Sequence, residues 1–187
     1  GNDGSGVSNL EVYHNTIYVN PSAGGAPKAL RVFRTTNIRF WNNIFVTTGG
    51  VPLLDLGEQK GLIFQGNNYW SGGGRFLIGD GGGSYASLAA WREGRGQETL
   101  NGAATGMSLD PELDDPGATK TPAVPERPSD SSAYQLRPSS PMVDAGLDLP
   151  RQFRSVVGAR DFWGNTVPQG KAYDVGAHEL VRTARQR

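Results

Sequence analysis

Asn37-Ile38-Arg39-Phe40-Trp41-Asn42-Asn43-Ile44-Phe45-Val46 reads as two short strands joined at an asparagine, and altered copies flank it on both sides. Upstream stands Asn9-Leu10-Glu11-Val12-Tyr13-His14-Asn15-Thr16-Ile17-Tyr18-Val19, and downstream stands Gly61-Leu62-Ile63-Phe64-Gln65-Gly66-Asn67-Asn68-Tyr69-Trp70. In register, Leu10, Ile38 and Leu62 share a column, as do Val12, Phe40 and Phe64, and Asn15, Asn43 and Asn67. The copies lie 28 and 24 residues apart. A period in the twenties marks stacked repeats. Within each copy the apolar residues alternate, the signature of a strand rather than a helix.

Such a repeat has room for three short strands and three turns, so stacked copies form parallel sheets. Leu30-Arg31-Val32 and Leu54-Asp55-Leu56 supply a third strand, again 24 residues apart, and the same step reaches Ile78. An asparagine at an inward corner can donate to one neighbour and accept from the other, so Asn15, Asn43 and Asn67 are expected to form a structural ladder. Asparagine also tolerates the left-handed backbone that a sharp corner needs. The competing architecture is an antiparallel sandwich with coincidental Asn pairs.

The NIxFxNNIF phrase at this spacing resembles the right-handed parallel β-helix proteins of the pectate-lyase-like superfamily. Later segments are similar to the closing part of secreted bacterial members: Ser87-Leu88-Ala89-Ala90-Trp91-Arg92-Glu93, Asp110-Pro111-Glu112-Leu113, residues 136–146, Asp161-Phe162-Trp163-Gly164-Asn165 and Asp174-Val175-Gly176-Ala177-His178-Glu179. An Arg-Pro that follows the Asp-Phe-Trp-Gly-Asn phrase in such tails is replaced here by Thr166-Val167-Pro168. The resemblance implies an all-β, right-handed parallel β-helix of three to four coils, a short capping helix and an irregular C-terminal extension. It also implies a secreted, extracellular protein acting on polysaccharide, with its site outward on one sheet. It does not fix the reaction, because one fold hosts many activities.

Composition narrows the function classes. The chain has 187 residues, 18 basic and 18 acidic, so it lacks the basic field that nucleic-acid or membrane-surface binding requires. It has no cysteine, which excludes disulfides and thiol chemistry. No apolar run approaches the length of a membrane span. The 27 glycines and 12 prolines fit a turn-rich chain. The runs at 72–74 and 81–83 lack the Lys-Ser/Thr partner of a phosphate loop and read as turns.

The expected organisation is coils at 1–84, a capping helix at 85–100 and an extension at 101–187 that packs on the coils. Leu88, Trp91 and Arg92 fall on one helical face, with Ser84 or Ser87 as N-cap and Gly94 or Gly96 as stop. Residues 116–130 read as a surface loop and 181–187 as a frayed basic tail. The polar residues 1–6 run directly into a full-strength coil. Solenoid ends need a polar cap, so the expectation is a distal part of a longer β-helix. Its apolar first coil is then expected to bind a missing N-terminal portion or to self-associate.

Chemistry is sought among the outward residues. Stepping by 24 pairs Arg31 with Asp55 and Arg34 with Glu58, either as a solvated ion-pair ladder or as a charged cleft. Arg31, Asp55 and Glu58, with Lys60, are the candidate catalytic residues. Asp55 and Glu58 suit a hydrolase, which needs two carboxylates. Lys60 or an arginine suits a lyase, which needs a base and a cation for the uronate carboxyl. Tyr13, Arg34, Arg39 and Trp41 are candidate substrate-binding residues; the Tyr13 and Trp41 rings either face a sugar or lie under a packed loop. His14 and His178 lack metal-site spacing, and no metal centre is assigned. No cofactor is expected, except that Asp110, Glu112, Asp114 and Asp115 form an acidic cluster considered for Ca²⁺. The alternative to an enzyme is a noncatalytic glycan-binding or structural β-helix module.

Overall fold

A computed structural model describes residues 6–117 and 128–181. The outermost N-terminal residues, most of the expected 116–130 loop and the basic tail beyond Val181 lie outside the described residues.

The chain winds into a parallel β-solenoid of about three turns. Each turn passes through three sheets. The first holds β1 (Ser8–Tyr13), β4 (Thr35–Trp41), β7 (Gln59–Lys60) and β8 (Ile63–Gln65). The second stacks β2 (Thr16–Val19), β5 (Ile44–Thr47) and β9 (Asn68–Trp70). The third stacks β3 (Leu30–Val32), β6 (Leu54–Leu56) and β10 (Ile78–Asp80), and β11 (Gly83–Tyr85) closes it antiparallel. Register follows the sequence columns: Leu10 pairs Ile38, Val12 pairs Phe40 and Phe40 pairs Phe64, while Leu30 pairs Leu54 and Leu54 pairs Ile78. Parallel pairing throughout the coils rules out the antiparallel sandwich.

Identical columns become stacked rings in the core. Phe40 lies over Phe64 at 4.6 Å, and Phe45 over Tyr69 at 5.5 Å. The asparagine ladder is formed and has a direction. Asn15 donates its backbone N–H and Nδ2 to Asn43 Oδ1, and Asn43 donates the same pair to Asn67 Oδ1. The left-handed corner, however, is one residue earlier than the ladder. His14, Asn42 and Gly66 carry φ of 52°, 52° and 71°. The ladder asparagines are there for their carboxamides, and the preceding column for its tolerance of positive φ.

Helix α1 (Leu88–Arg95) closes one end. Ser87 Oγ accepts from Ala90 N at 3.1 Å, and left-handed Gly96 returns its N–H to Arg92 O at 2.8 Å. Leu88 and Trp91 are buried, with Trp91 edge-on to Phe64 and Tyr69. Trp91 Nε1 donates to Asp80 Oδ2 at 2.8 Å, and Arg95 pairs with the same carboxylate at 3.1 Å. After α1 come the small hairpin β12 (Thr99–Leu100) and β13 (Ala103–Ala104), a 3₁₀ turn at Pro128–Tyr134 and a second short helix, α2 (Leu149–Phe153). Helix α2 stands beyond the single expected helix; Asp148, whose carboxylate caps Arg151 N, and Pro150 in the first turn start it.

The extension packs along two of the three sheets. Ile44 and Val46 point outward from the second sheet into a separate core with Leu113, Leu136, Met142 and Val175. Over the first sheet, Phe153 of α2 stacks on Trp41 at 4.4 Å with the rings 7° from parallel.

Candidate functional site

The third sheet and its corner with the first carry the candidate charged group. Leu30, Val32, Leu54 and Leu56 point inward, so the intervening Arg31 and Asp55 point out and pair across the coils. Arg31 Nε lies 3.4 Å and Lys28 Nζ 3.5 Å from Asp55 Oδ2. Gly79 follows Asp55 in this column, leaving the sheet bare beyond the carboxylate.

At the corner, Arg34 takes a left-handed conformation with φ of 51°, and its N–H donates to Glu58 O at 2.7 Å. The expected pairing of Arg34 with Glu58 is therefore made by the backbone. Among the described residues their side chains form no ion pair; Arg34 instead rests against its neighbour Phe33, 5.3 Å from the ring centre. A polar cleft of about 480 Å³ opens here, lined by Arg34, Thr35, Thr36, Glu58, Gln59 and Lys60, with Gly6 at its rim. Thr35 Oγ1 is buried beneath it without a hydrogen-bond partner among the described residues. The structure thus splits the four candidate catalytic residues. Glu58 and Lys60 meet Arg34 in the cleft, while Arg31 and Asp55 form a separate cluster with Lys28.

The substrate-binding expectation on the first sheet needs correction at Trp41. Its ring is 1% exposed, sandwiched by Phe153, and its Nε1 donates to Gln65 Oε1 at 3.1 Å, so it has no face to offer a sugar. Tyr13 donates its hydroxyl to Val156 O, and Ser155 bonds Glu11, so the extension occupies this face. Arg39 stays partly exposed, 3.8 Å from Glu11 and 6.0 Å from the Trp41 ring centre. Alternation told which residues leave the sheet. It held no information on what the distant chain lays over them.

Two features had no signal in the repeat. Glu98, fully buried, ends the ladder: its Oε1 accepts from Asn67 N and Nδ2 and from Tyr69 Oη, and its Oε2 from Thr105 Oγ1. Burial pushes this carboxyl above the usual range, against the pull of those donors. His14, between coil and extension, donates from Nδ1 to Asp174 O and accepts from Asn42 Nδ2 at Nε2. Burial lowers its pKa to about 4.

Near His14 a cavity of about 180 Å³ is lined by several titratable groups, Asp161, His178 and Glu179 among them. They are engaged in holding the backbone. Asp161 accepts from the amides of Trp163, Asn165 and Glu179; Glu179 accepts from those of Gln169 and Asp174; His178 Nδ1 accepts from Leu136 N. This is the physical content of the two tail phrases. Three members of the acidic cluster considered for Ca²⁺ are similarly engaged: Asp110 caps Glu112 N, Glu112 accepts from Ser139 and Asp114 pairs with Arg137. Among the described residues no group of three or more potential ligands is placed to hold a metal ion, and no helix is long and apolar enough to cross a membrane.

No protein-family model matches the chain, and no curated protein matches it.

Proposed function

We propose that the chain belongs to a carbohydrate-active β-helix protein of the pectate-lyase-like kind, and that the corner cleft engages an acidic polysaccharide outside the cell. The observation that supports this reading is the convergence of Arg34 and Lys60 with Glu58 in a cleft that no described residue of the extension lines. Two cations in a polar groove suit a uronate carboxylate. Glu58 is the one carboxylate among the described lining residues, whereas hydrolysis requires two across the scissile bond. β-Elimination fits the residue types better. Arg34 holds the uronate carboxyl, Lys60 takes the proton alpha to it, the bond to the glycosidic oxygen breaks, and that oxygen takes a proton from water.

A second reading, glycan recognition without turnover, is favoured by one fact: Arg34, Glu58 and Lys60 are all solvent-exposed. Exposure suits recognition more than proton abstraction by a tuned base. Incubation with polygalacturonate and alginate separates the readings. Absorbance of an unsaturated product, abolished by Lys60→Ala, supports elimination. Retarded migration in gels containing the polymer, reversed by Arg34→Ala with Lys60→Ala but without product, supports recognition. Neither product nor retardation overturns both.

A further inference from the structure

The two ends of the solenoid are finished differently. At the α1 end, Trp91 covers the stacked rings and Glu98 supplies the last acceptor of the ladder. At the opposite end, among the described residues, all three sheets stop on an edge strand: β1, β2 and β3 each have a partner on one side only. Val7 and Leu10 are 57% and 45% exposed there. Val12, Ile17 and Leu30 line an apolar groove of about 470 Å³ together with Asn15, and Tyr134, Phe162 and Trp163 of the extension form its other wall, so the face is open beside the extension.

The ladder's direction says what fits this face. Each ladder Oδ1 receives a backbone N–H and an Nδ2 from the coil before it. Among the described residues nothing donates to Asn15 Oδ1, which is the acceptor left over. A second copy docked face to face would bring its own Asn15 Oδ1 against this one, acceptor to acceptor. Head-to-tail stacking is blocked by α1, which occupies the other end.

We infer that the open face is an interface for one further parallel β-coil whose corner asparagine donates to Asn15 Oδ1, and not for a second copy of this chain. Such a coil continues the three edges, covers Val7 and Leu10 and satisfies the ladder together. This inference stands apart from the proposed polysaccharide cleft.

The test uses the whole chain and an extended form in which residues 35–58 are duplicated directly ahead of Val7. Val7 is equivalent in register to Thr35, so the added coil lands with its Asn43 equivalent over Asn15. Sedimentation velocity of the unextended chain at micromolar concentration is expected to show a monomer. The extended chain is expected to melt about 5 °C or more higher, with slowed amide exchange in β1. Asn43→Ala made only in the added coil is expected to remove most of that gain. A discrete dimer of the unextended chain that Leu10→Lys dissociates overturns the inference, as does an extended chain that melts no higher than the original.

Discussion

Truncating Glu98 to alanine tests whether the ladder needs its terminal acceptor. Asn67, Tyr69 and Glu98 are each 0% exposed. In the variant, Asn67 Nδ2 and Tyr69 Oη lose the acceptor they meet at 2.7 Å. An orphaned buried donor costs about 1–3 kcal/mol. Two of them, with the void left by the side chain, put the expected loss at about 3–5 kcal/mol. Arg92 contributes little to the difference, because it bonds the backbone carbonyls of Glu98 and Thr105, which remain. Glu98→Gln keeps an Oε1 for Asn67 and Tyr69 and removes the charge that burial disfavours. It is expected within about 1 kcal/mol of wild type, or above it, at neutral pH. The sign with pH is fixed by the raised carboxyl. As pH falls through that raised value toward the ordinary 4.5, the folded wild type takes up its proton before the unfolded chain does, so wild type gains on Glu98→Gln. Urea titrations of the three proteins at several pH values measure both effects. An alanine variant within about 1 kcal/mol of wild type refutes the reasoning, since no buried donor would then have depended on Glu98.

Three further outcomes follow from the same contacts. The His14 pKa of about 4 against 6.5 when unfolded means stability is present above pH 6.5 and lost as pH falls toward 4, by at most about 3 kcal/mol; the difference between wild type and His14→Asn in urea isolates it from Glu98 and Glu179, whose raised values act in the opposite direction. Asp80→Ala strands Trp91 Nε1–H and unpairs Arg95, for an expected loss of about 2–3 kcal/mol, whereas Asp80→Asn, which keeps the acceptor, should lose about 1 kcal/mol in chemical denaturation. Phe153→Ala uncovers the Trp41 indole, and is read as a red-shifted, more quenchable tryptophan emission with a stability loss of about 2 kcal/mol.

The coils were legible in the sequence because every inward column repeats itself. Leu30, Leu54 and Ile78 announce a shared strand position with no need of distant chain, and so do Asn15, Asn43 and Asn67. Features contributed once, from outside the repeat, left no such trace. Glu98 performs the ladder's closing role with a different residue type, 31 positions after Asn67, where the earlier steps are 28 and 24. Phe153 meets Trp41 across more than a hundred residues. Arg34 and Glu58 were aligned correctly. Their side chains were not, because the left-handed turn at Arg34 gives Glu58 a backbone partner and turns the guanidinium toward Phe33.

That same extension covers much of the solenoid's outer surface. It buries Trp41 on the first sheet and Ile44 and Val46 on the second, at 1%, 0% and 3% exposure. Uncovering a large apolar side chain costs about 1.5–3 kcal/mol, so exposing all three costs about 5–9 kcal/mol. A ligand bound with micromolar affinity gains about 8 kcal/mol in total. A glycan strand that had to lift the extension would spend its whole binding energy on the displacement. The third sheet needs no such rearrangement: Arg31 and Asp55 already face solvent in register, and the corner cleft with Arg34 and Lys60 continues from them. On the proposed reading, the described part of the extension would act by exclusion, directing an extended polymer to the flank where Arg31, Arg34 and Lys60 stand.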